Sequence, residues 1–265
     1  MVVGNDCRVD EDIWAPLAEQ FVGGHYGSLR GRVRTHVINA HLRTHLPPAP
    51  LSVVDVGGGA GHQAVPLARA GYDVTIVDPS PAMLVRAERL IAGEPADVAR
   101  RISLVEVCGE DAPAKFGGQR FGAVLCHGVI MYLEDPSPMI AALSELADTH
   151  AIVSIVAKNA DVLASRPALA GDWAAALDAF DADRQINGLG LETRGDRIDD
   201  LSATLTKRQI DPIAWYGVRL FTDGWTPDRP AIGLEEPVMA VELEASRRDP
   251  YRQLSRLFHL LGRRR

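Results

Sequence analysis

Val53-Val54-Asp55-Val56-Gly57-Gly58-Gly59-Ala60-Gly61 runs from a short apolar stretch into a glycine-rich turn, and Gly71-Tyr72-Asp73-Val74-Thr75-Ile76-Val77-Asp78 follows it closely. Leu51 to Val56 is brief and β-branched, which predicts a strand buried on both faces of a parallel sheet. The glycines after it let backbone approach a ligand where a Cβ would collide. Within His62 to Ala70, Ala64, Leu67 and Ala68 fall at helical spacing, so the loop leads to a helix N-terminus. Asp73 to Val77 reads as the next strand, and Asp78 at its carboxyl end is set to accept hydrogen bonds from a ribose diol.

The glycine spacing selects among nucleoside cofactors. From Gly57 the pattern is Gly-x-Gly-x-Gly, and the third glycine of a dinucleotide fingerprint would fall on His62. Asp55 would repel a pyrophosphate, yet it suits the cationic amino end and sulfonium of S-adenosyl-L-methionine. That cofactor is therefore expected on Asp55, Gly57, Gly58, Gly59, Gly61 and Asp78. The competing reading is a plain strand-to-helix turn with Asp78 as a helix N-cap.

The chain has 265 residues, 46% of them hydrophobic, enough for one large core with additions. Asp10 to Gln20 and about Arg30 to Leu46 read as helices, broken by Gly23-Gly24-His25-Tyr26-Gly27. Pro47-Pro48-Ala49-Pro50 then leads into the first sheet strand. Further strands are expected at Ile102–Val107, Phe121–Cys126, Ala151–Ala157, Ile213–Phe221 and Leu257–Leu261. Helices are expected at Ser80–Ala92, Pro136–Ala147, Ala160–Phe180, Arg197–Gln209 and Glu235–Arg248, the last with Val238, Val241 and Leu243 inward. Asp181 to Arg194 reads as a loop. This alternation predicts an α/β Rossmann-like fold, a mostly parallel seven-stranded sheet with helices on both faces. The domain plan is an N-terminal helical lid over 1–50, a cofactor-binding core over 51–160, a helical insert over 161–211, and strands and a helix over 212–265 that complete the same sheet.

The net charge of −7 excludes a chain that coats nucleic acid indiscriminately. From Phe21 to Val54, however, there is no acidic residue, and Arg30, Arg32, Arg34 and Arg43 lie there with His25, His36, His41 and His45. That segment reads either as a local surface for an anionic ligand or as a solvated helix face. No apolar stretch reaches membrane-spanning length and Met1 to Trp14 is acidic and polar, so a cytoplasmic location without membrane contact is expected. Cys7, Cys108 and Cys126 form no Cys-x-x-Cys pair, which points away from a disulfide framework or a zinc site. Cys108 and Cys126 are expected as small buried hydrophobes, and Met83 and Met131 as packing.

Two more strand ends carry chemistry. Cys108-Gly109-Glu110-Asp111 fits the adenine edge, with Asp111 placed to accept the exocyclic amine, and Cys126-His127-Gly128-Val129 would put His127 beside the sulfonium. With these residues the chain resembles class I S-adenosylmethionine methyltransferases, and more narrowly the enzymes that methylate the carboxyl of 5-carboxymethoxyuridine at the tRNA wobble position. The narrower resemblance rests on Ala18-Glu19-Gln20-Phe21, Tyr26-Gly27, Gly31, Arg34, Asp55 to Gly61, Asp78, His127, Asp135-Pro136, Asn159-Ala160 and Gly217-Val218-Arg219 with Phe221 and Asp223. Glu242-Leu243-Glu244, Asp249-Pro250-Tyr251, Arg256 and His259 complete it. It implies that Arg34, Gly57, Gly58, Asp78, Gly109, Glu110 and His127 contact the cofactor, Arg34 reaching the methionine carboxylate from the lid. Arg219 is implied as the substrate-side cation, with a salt bridge to Asp223 as its alternative.

The chain departs from that family at Met131-Tyr132, where the family has Glu-Trp, and at Lys158, where it has Tyr. Asp181 to Arg194 replaces a lysine-rich stretch. The leading expectation is a methyltransferase acting on a carboxylate-bearing uridine in the tRNA anticodon loop. A methyltransferase for a small carboxylate or phenolic metabolite, and a cofactor-binding regulator without turnover, are the alternatives. For a hydroxyl or amine acceptor, His127 or Tyr132 would remove the proton.

Overall fold

A computed structural model describes residues 12–224 and 235–265. Its main sheet contains β1 (Ser52–Val56), β2 (Asp73–Asp78), β3 (Ile102–Glu106), β4 (Phe121–His127), β5 (Ala147–Lys158), β8 (Ile210–Val218) and β9 (Leu257–Arg264), in the order β3-β2-β1-β4-β5-β9-β8. The first five run parallel, and β9 pairs antiparallel with both β5 and β8. β6 (Arg184–Ile186) and β7 (Glu192–Arg194) form a separate hairpin. The chain builds outward from β1 to β3, then crosses to β4 on the other side of β1. This reversal opens a crevice at the carboxyl ends of β1 and β4.

On one face lie α1 (Leu29–His45), α2 (Ala64–Arg69), α3 (Pro81–Ala92) and α10 (Glu235–Ala245), whose Val33, Val37, Leu67, Leu84 and Ala87 pack with Val53, Ile76, Leu125 and Val156. On the other lie α6 (Ser137–Leu146) and α9 (Ile198–Lys207), with Ile140, Leu143, Leu201 and Leu205 against Val54, Val124 and Ile155. The short α4 (Ala96–Ala99) and α5 (Ala112–Lys115) complete the connections before β4. Caps fix the two helices nearest the crevice. Ser28 Oγ accepts from Gly31 N at the start of α1, and Ser80 Oγ from Met83 N at the start of α3, where Pro81 has no N–H to leave unpaired.

Several expectations need correction. The expected helix from Asp10 begins outside the described residues; Ile13 to Leu17 are turns, and the helical segment starts at Ala18 and continues as a π-helix over Gln20–Tyr26. Gly23-Gly24 therefore does not break it, because Phe21 and Val22 pack with Ala18, Ala60 and Met83 and hold the coil together. Ala160 to Phe180 is not one helix: Pro167 and Gly171 divide it into a 3-10 turn, α7 (Ser165–Leu169) and α8 (Trp173–Ala179). Leu169, Trp173, Leu177 and Phe180 there are 69–84% exposed. Asp181 to Arg194 is a hairpin rather than a loop, and Val241 faces outward. Cys126 is free and buried as expected, whereas Cys108 is half-buried and disulfide-bonded; Cys7 lies outside the described residues. Among the described residues no helix is long and apolar enough to cross a membrane, and no His, Cys, Asp and Glu cluster could hold a metal ion.

Candidate active site

The turn after β1 is a cradle shaped by glycine. Gly57 has φ +70°, and a Cβ there would lie 2.3 Å from Val129 Cγ2. Gly59, at φ +53°, donates its N–H to Asp78 Oδ2 at 2.8 Å, while Asp78 Oδ1 accepts from Ser80 N at 3.0 Å. Asp78 thus stands at the end of β2 in a fixed rotamer, its remaining lone pairs available to a diol. Burial pushes its pKa up to about 6, against these two backbone bonds.

Asp55 fits a cationic guest. It is buried in β1, its Oδ2 has no hydrogen-bond partner, and burial raises its pKa to about 7, with Arg34 nearby opposing the shift. An orphaned buried carboxylate is costly on its own and is relieved by an ammonium or sulfonium. Gly109 opens the single 3-10 turn after β3 that carries Glu110 and Asp111; a Cβ on it would meet Met139 Cε and Val56 Cγ1 at 2.6 Å each. Burial raises the Glu110 pKa. An unpartnered buried carboxylate at Asp55 and a backbone-anchored one at Asp78 thus flank the glycine turn, a donor set that fits a ligand with a cationic end and a diol.

The N-terminal segment roofs this cradle. Trp14 packs on Phe21 (5.4 Å between ring centroids) and edge-on to Tyr132 (5.0 Å), and Tyr26 stacks on His62 at 4.2 Å. Asp12 Oδ2 accepts from Ser80 Oγ at 2.7 Å and ties the roof to α3. Arg34 reaches in from α1, buried, with Nη2 donating to His127 O at 3.3 Å and Nη1 to Tyr26 Oη at 3.4 Å. Both bonds are long, and neither partner carries a negative charge. On the outer side, Arg32, His36, Asn39 and Arg43 line a cavity of about 300 Å³ with Tyr26 and His62, so part of the acid-free segment does face a concave surface.

His127 ends β4 inside a buried chain of polar groups. Its Nε2 lies 2.7 Å from Ser154 Oγ, which lies 2.6 Å from His259 Nε2; His259 Nδ1 is 3.1 Å from His41 Nδ1, and His41 Nε2 is 2.8 Å from Ser246 Oγ. Desolvation drives the pKa of His127 and of His41 down to about 3, and that of His259 well below its ordinary value, so all three are neutral at physiological pH. His127 Nδ1 has no partner. Ser154, His41 and His259 were readable as polar residues on apolar elements, but their contact was not.

Arg219 follows β8, three strands along from β4, and the ion pair with Asp223 weighed as its alternative is present at 2.7 Å. It is not a simple surface pair. Arg219 is buried with φ +64°, and Arg166 also holds Asp223, through two bonds of 2.9 and 3.1 Å. Lys158 at the end of β5 and Arg256 just before β9 lie in the same group. Tyr132, expected as a proton acceptor, has its pKa pushed up to about 12 by burial, and its hydroxyl accepts from Asn187 Nδ2 at 3.3 Å. It is a protonated phenol at neutral pH.

Residues 53–150 match the family described as a methyltransferase domain. Fold, crevice and family together define a Rossmann-like class I methyltransferase that uses S-adenosylmethionine. Along nearly its whole length the chain is similar to the tRNA 5-carboxymethoxyuridine methyltransferase of Escherichia coli, 24% identical over 261 residues that cover 93% of this chain and 94% of that protein. A ubiquinone biosynthesis O-methyltransferase of Alkalilimnicola ehrlichii is 29% identical over 157 residues, 58% of this chain and 53% of that protein. Among solved structures, magnesium protoporphyrin IX methyltransferase from Synechocystis with bound SAH superposes with a TM-score of 0.64 at 15% identity, covering 98% of this chain and 100% of that one. The glycopeptide N-methyltransferase MtfA complexed with S-adenosylmethionine gives 0.55 at 14% identity, over 88% and 94%.

Proposed function

We propose that this enzyme esterifies the carboxylate of a 5-carboxymethoxyuridine-type wobble nucleoside in tRNA. Arg219 carries the reading: a buried guanidinium at the carboxyl edge of the sheet, held by Asp223 and with Nε unpartnered. A guanidinium fixed in this way binds a carboxylate through paired hydrogen bonds and orients one oxygen for attack. The similarity to the tRNA methyltransferase, which spans both Arg219 and the roof, supports the same class of acceptor.

In this reading the segment before β1 is a lid, and Arg34, Asp55, Gly57, Gly58, Gly59, Gly61, Asp78, Gly109, Glu110, Asp111 and His127 hold the cofactor. When bound, S-adenosylmethionine supplies a methyl carbon that bonds to the acceptor oxygen as the carbon–sulfur pair returns to sulfur. Because a carboxylate is already ionised at neutral pH, no side chain has to remove a proton. Arg219 orients the acceptor, and the aromatic roof keeps water out, strengthening the attraction between carboxylate and sulfonium. A tRNA substrate places the reaction in the cytoplasm.

A second reading, transfer to a small carboxylate or phenolic metabolite, is favoured by the partial similarity to ubiquinone biosynthesis O-methyltransferases. Purified enzyme incubated with labelled S-adenosylmethionine and tRNA bearing unmethylated 5-carboxymethoxyuridine decides. Nucleoside mass spectrometry is expected to show the methyl ester at the wobble uridine. Absence of label on that tRNA, with cofactor binding intact, rejects the tRNA reading.

A further inference from the structure

The group around Arg219 holds more positive charge than one acceptor carboxylate neutralises. Three adjacent strand ends build it. Arg256 N donates to Arg219 O at 3.0 Å and Asn159 N to Arg256 O at 3.1 Å, so Lys158, Arg256 and Arg219 leave the sheet side by side. All three side chains are buried, and Arg166 joins them from α7. Arg30 of α1 adds a fifth cation to the group, and against these stands Asp223, already shared by Arg166 and Arg219.

The nearby carboxylates are otherwise engaged. Asp196, whose N–H donates to Lys158 O, is paired with Arg194 through Oδ1, while its buried Oδ2 accepts no hydrogen bond. Glu242 accepts from Leu220 N, Thr222 N and Thr222 Oγ1. The β6–β7 hairpin gives two of the cations neutral partners: Lys158 Nζ donates to Thr193 Oγ1 at 2.7 Å and Arg256 Nη2 to Gln185 Oε1 at 2.7 Å. Such contacts aim a cation without neutralising it. Arg256 Nη1 and Arg219 Nε have no partner at all. Buried cations with idle donors are strongly unfavourable unless an anion completes them.

We propose that this cation cluster takes an acceptor carrying a second oxyanion, bound by Lys158 and Arg256 beside the carboxylate held at Arg219. The inference rests on the reading of an anionic acceptor and narrows it to one with at least two negative groups close together. A phosphodiester of a polynucleotide and a second carboxylate of a small acid supply the same chemistry. The desolvated state of the cluster agrees with an anion-binding role: burial brings the Lys158 pKa down to about 7 and that of Arg219 to about 9, with neighbouring arginines adding to both shifts and Asp223 opposing them.

Isothermal titration of the full chain with sodium phosphate, at neutral pH and at ionic strength fixed with sodium chloride, tests the site. Saturable binding is expected, weakened about tenfold or more by Arg256→Gln and by Lys158→Met, and unchanged by Arg69→Gln on the far surface. Retained binding of S-adenosylhomocysteine identifies the folded variants, and Lys158→Met carries the test if Arg256→Gln does not fold. Phosphate binding that is absent, or indifferent to the variants, overturns the proposal. Displacement of phosphate by the dinucleotide UpU supports a polynucleotide source, and displacement by tricarballylate supports a small polyacid. Displacement by neither overturns the acceptor role. Titration needs no methyl transfer, so intact phosphate binding without tRNA methylation rejects only the tRNA reading, and the converse rejects only the second oxyanion.

Discussion

Ser154 Oγ stands 2.7 Å from His127 Nε2, and this contact decides which ring nitrogen of His127 carries the proton. Ser246 Oγ lies 2.7 Å from Leu243 O and must donate there, so it accepts from His41 Nε2–H. His41 Nδ1 is then a bare acceptor for His259 Nδ1–H, and His259 Nε2 accepts from Ser154, leaving Ser154 to accept from His127 Nε2–H. His127 Nδ1 is therefore an unprotonated lone pair, set from a helix on the far side of β9. Nitrogen-15 NMR should report a neutral His127 with Nε2–H. In Ser154→Ala the buried Nε2–H loses its acceptor, at a cost of about 1–3 kcal/mol in stability by urea denaturation. A protonated Nδ1 in the wild type would break the chain of assignments.

The cradle predicts a steric cycle. Gly57→Ala meets Val129 Cγ2 and must hold a left-handed backbone, so it is expected to destabilise by about 2–4 kcal/mol. In a Val129→Ala background the clash is gone and only the backbone cost, about 1–2 kcal/mol, remains. Equal penalties in both backgrounds would show that Val129 does not crowd the turn.

Cofactor and acceptor recognition should separate between Asp78 and Arg219. Asp78→Asn removes the charge that a diol would meet and keeps one oxygen for the Gly59 amide, so calorimetry with S-adenosylhomocysteine is expected to show a loss of about 2–3 kcal/mol. Arg219→Ala should leave that affinity within about twofold while methyl transfer is lost. Unchanged affinity in Asp78→Asn would remove the ribose role.

What the sequence made legible follows from locality. The turn over Gly57 to Gly61 and the strand-end place of Asp78 could be read because strand, turn and acidic residue are adjacent in the chain. The π-helix over Gln20–Tyr26 was hidden because two glycines mark a stop unless tertiary packing overrides them, as Phe21 and Val22 do here. β6 and β7 are three residues each, too short for alternation to show. The cation group was invisible because Lys158, Arg166, Arg219 and Arg256 sit on separate elements, and Lys158 stood out only as a departure from the family it resembles. Its partner Thr193 lies on a hairpin that the sequence presented as a loop.

Lys158 should leave a signature in the pH dependence of stability. Its folded-state pKa is lowered to about 7 from 10.5, first by burial, then by Arg256 and Arg166, with Asp223 opposing. Between these values the unfolded chain holds a proton that the folded chain lacks, so the unfolding free energy rises with pH. Below about 7 both states are protonated and the full penalty of burying the cation applies; above 10.5 both are neutral and it vanishes. The slope from Lys158 approaches about 1.4 kcal/mol per pH unit near pH 8, one unit above its folded pKa. Asp55, with a pKa raised to about 7, opposes the rise at neutrality itself, whereas near pH 8 Asp55, Asp78, His41 and His127 are almost fully deprotonated in both states and contribute little. Arg219 and Arg256, lowered to about 9 and about 10, add to the rise only above that. Urea denaturation across this window should show the rise in wild type and its loss in Lys158→Met. Saturating phosphate should also flatten the slope, because a bound oxyanion keeps Lys158 charged. A wild-type slope that survives Lys158→Met would assign the proton to another group.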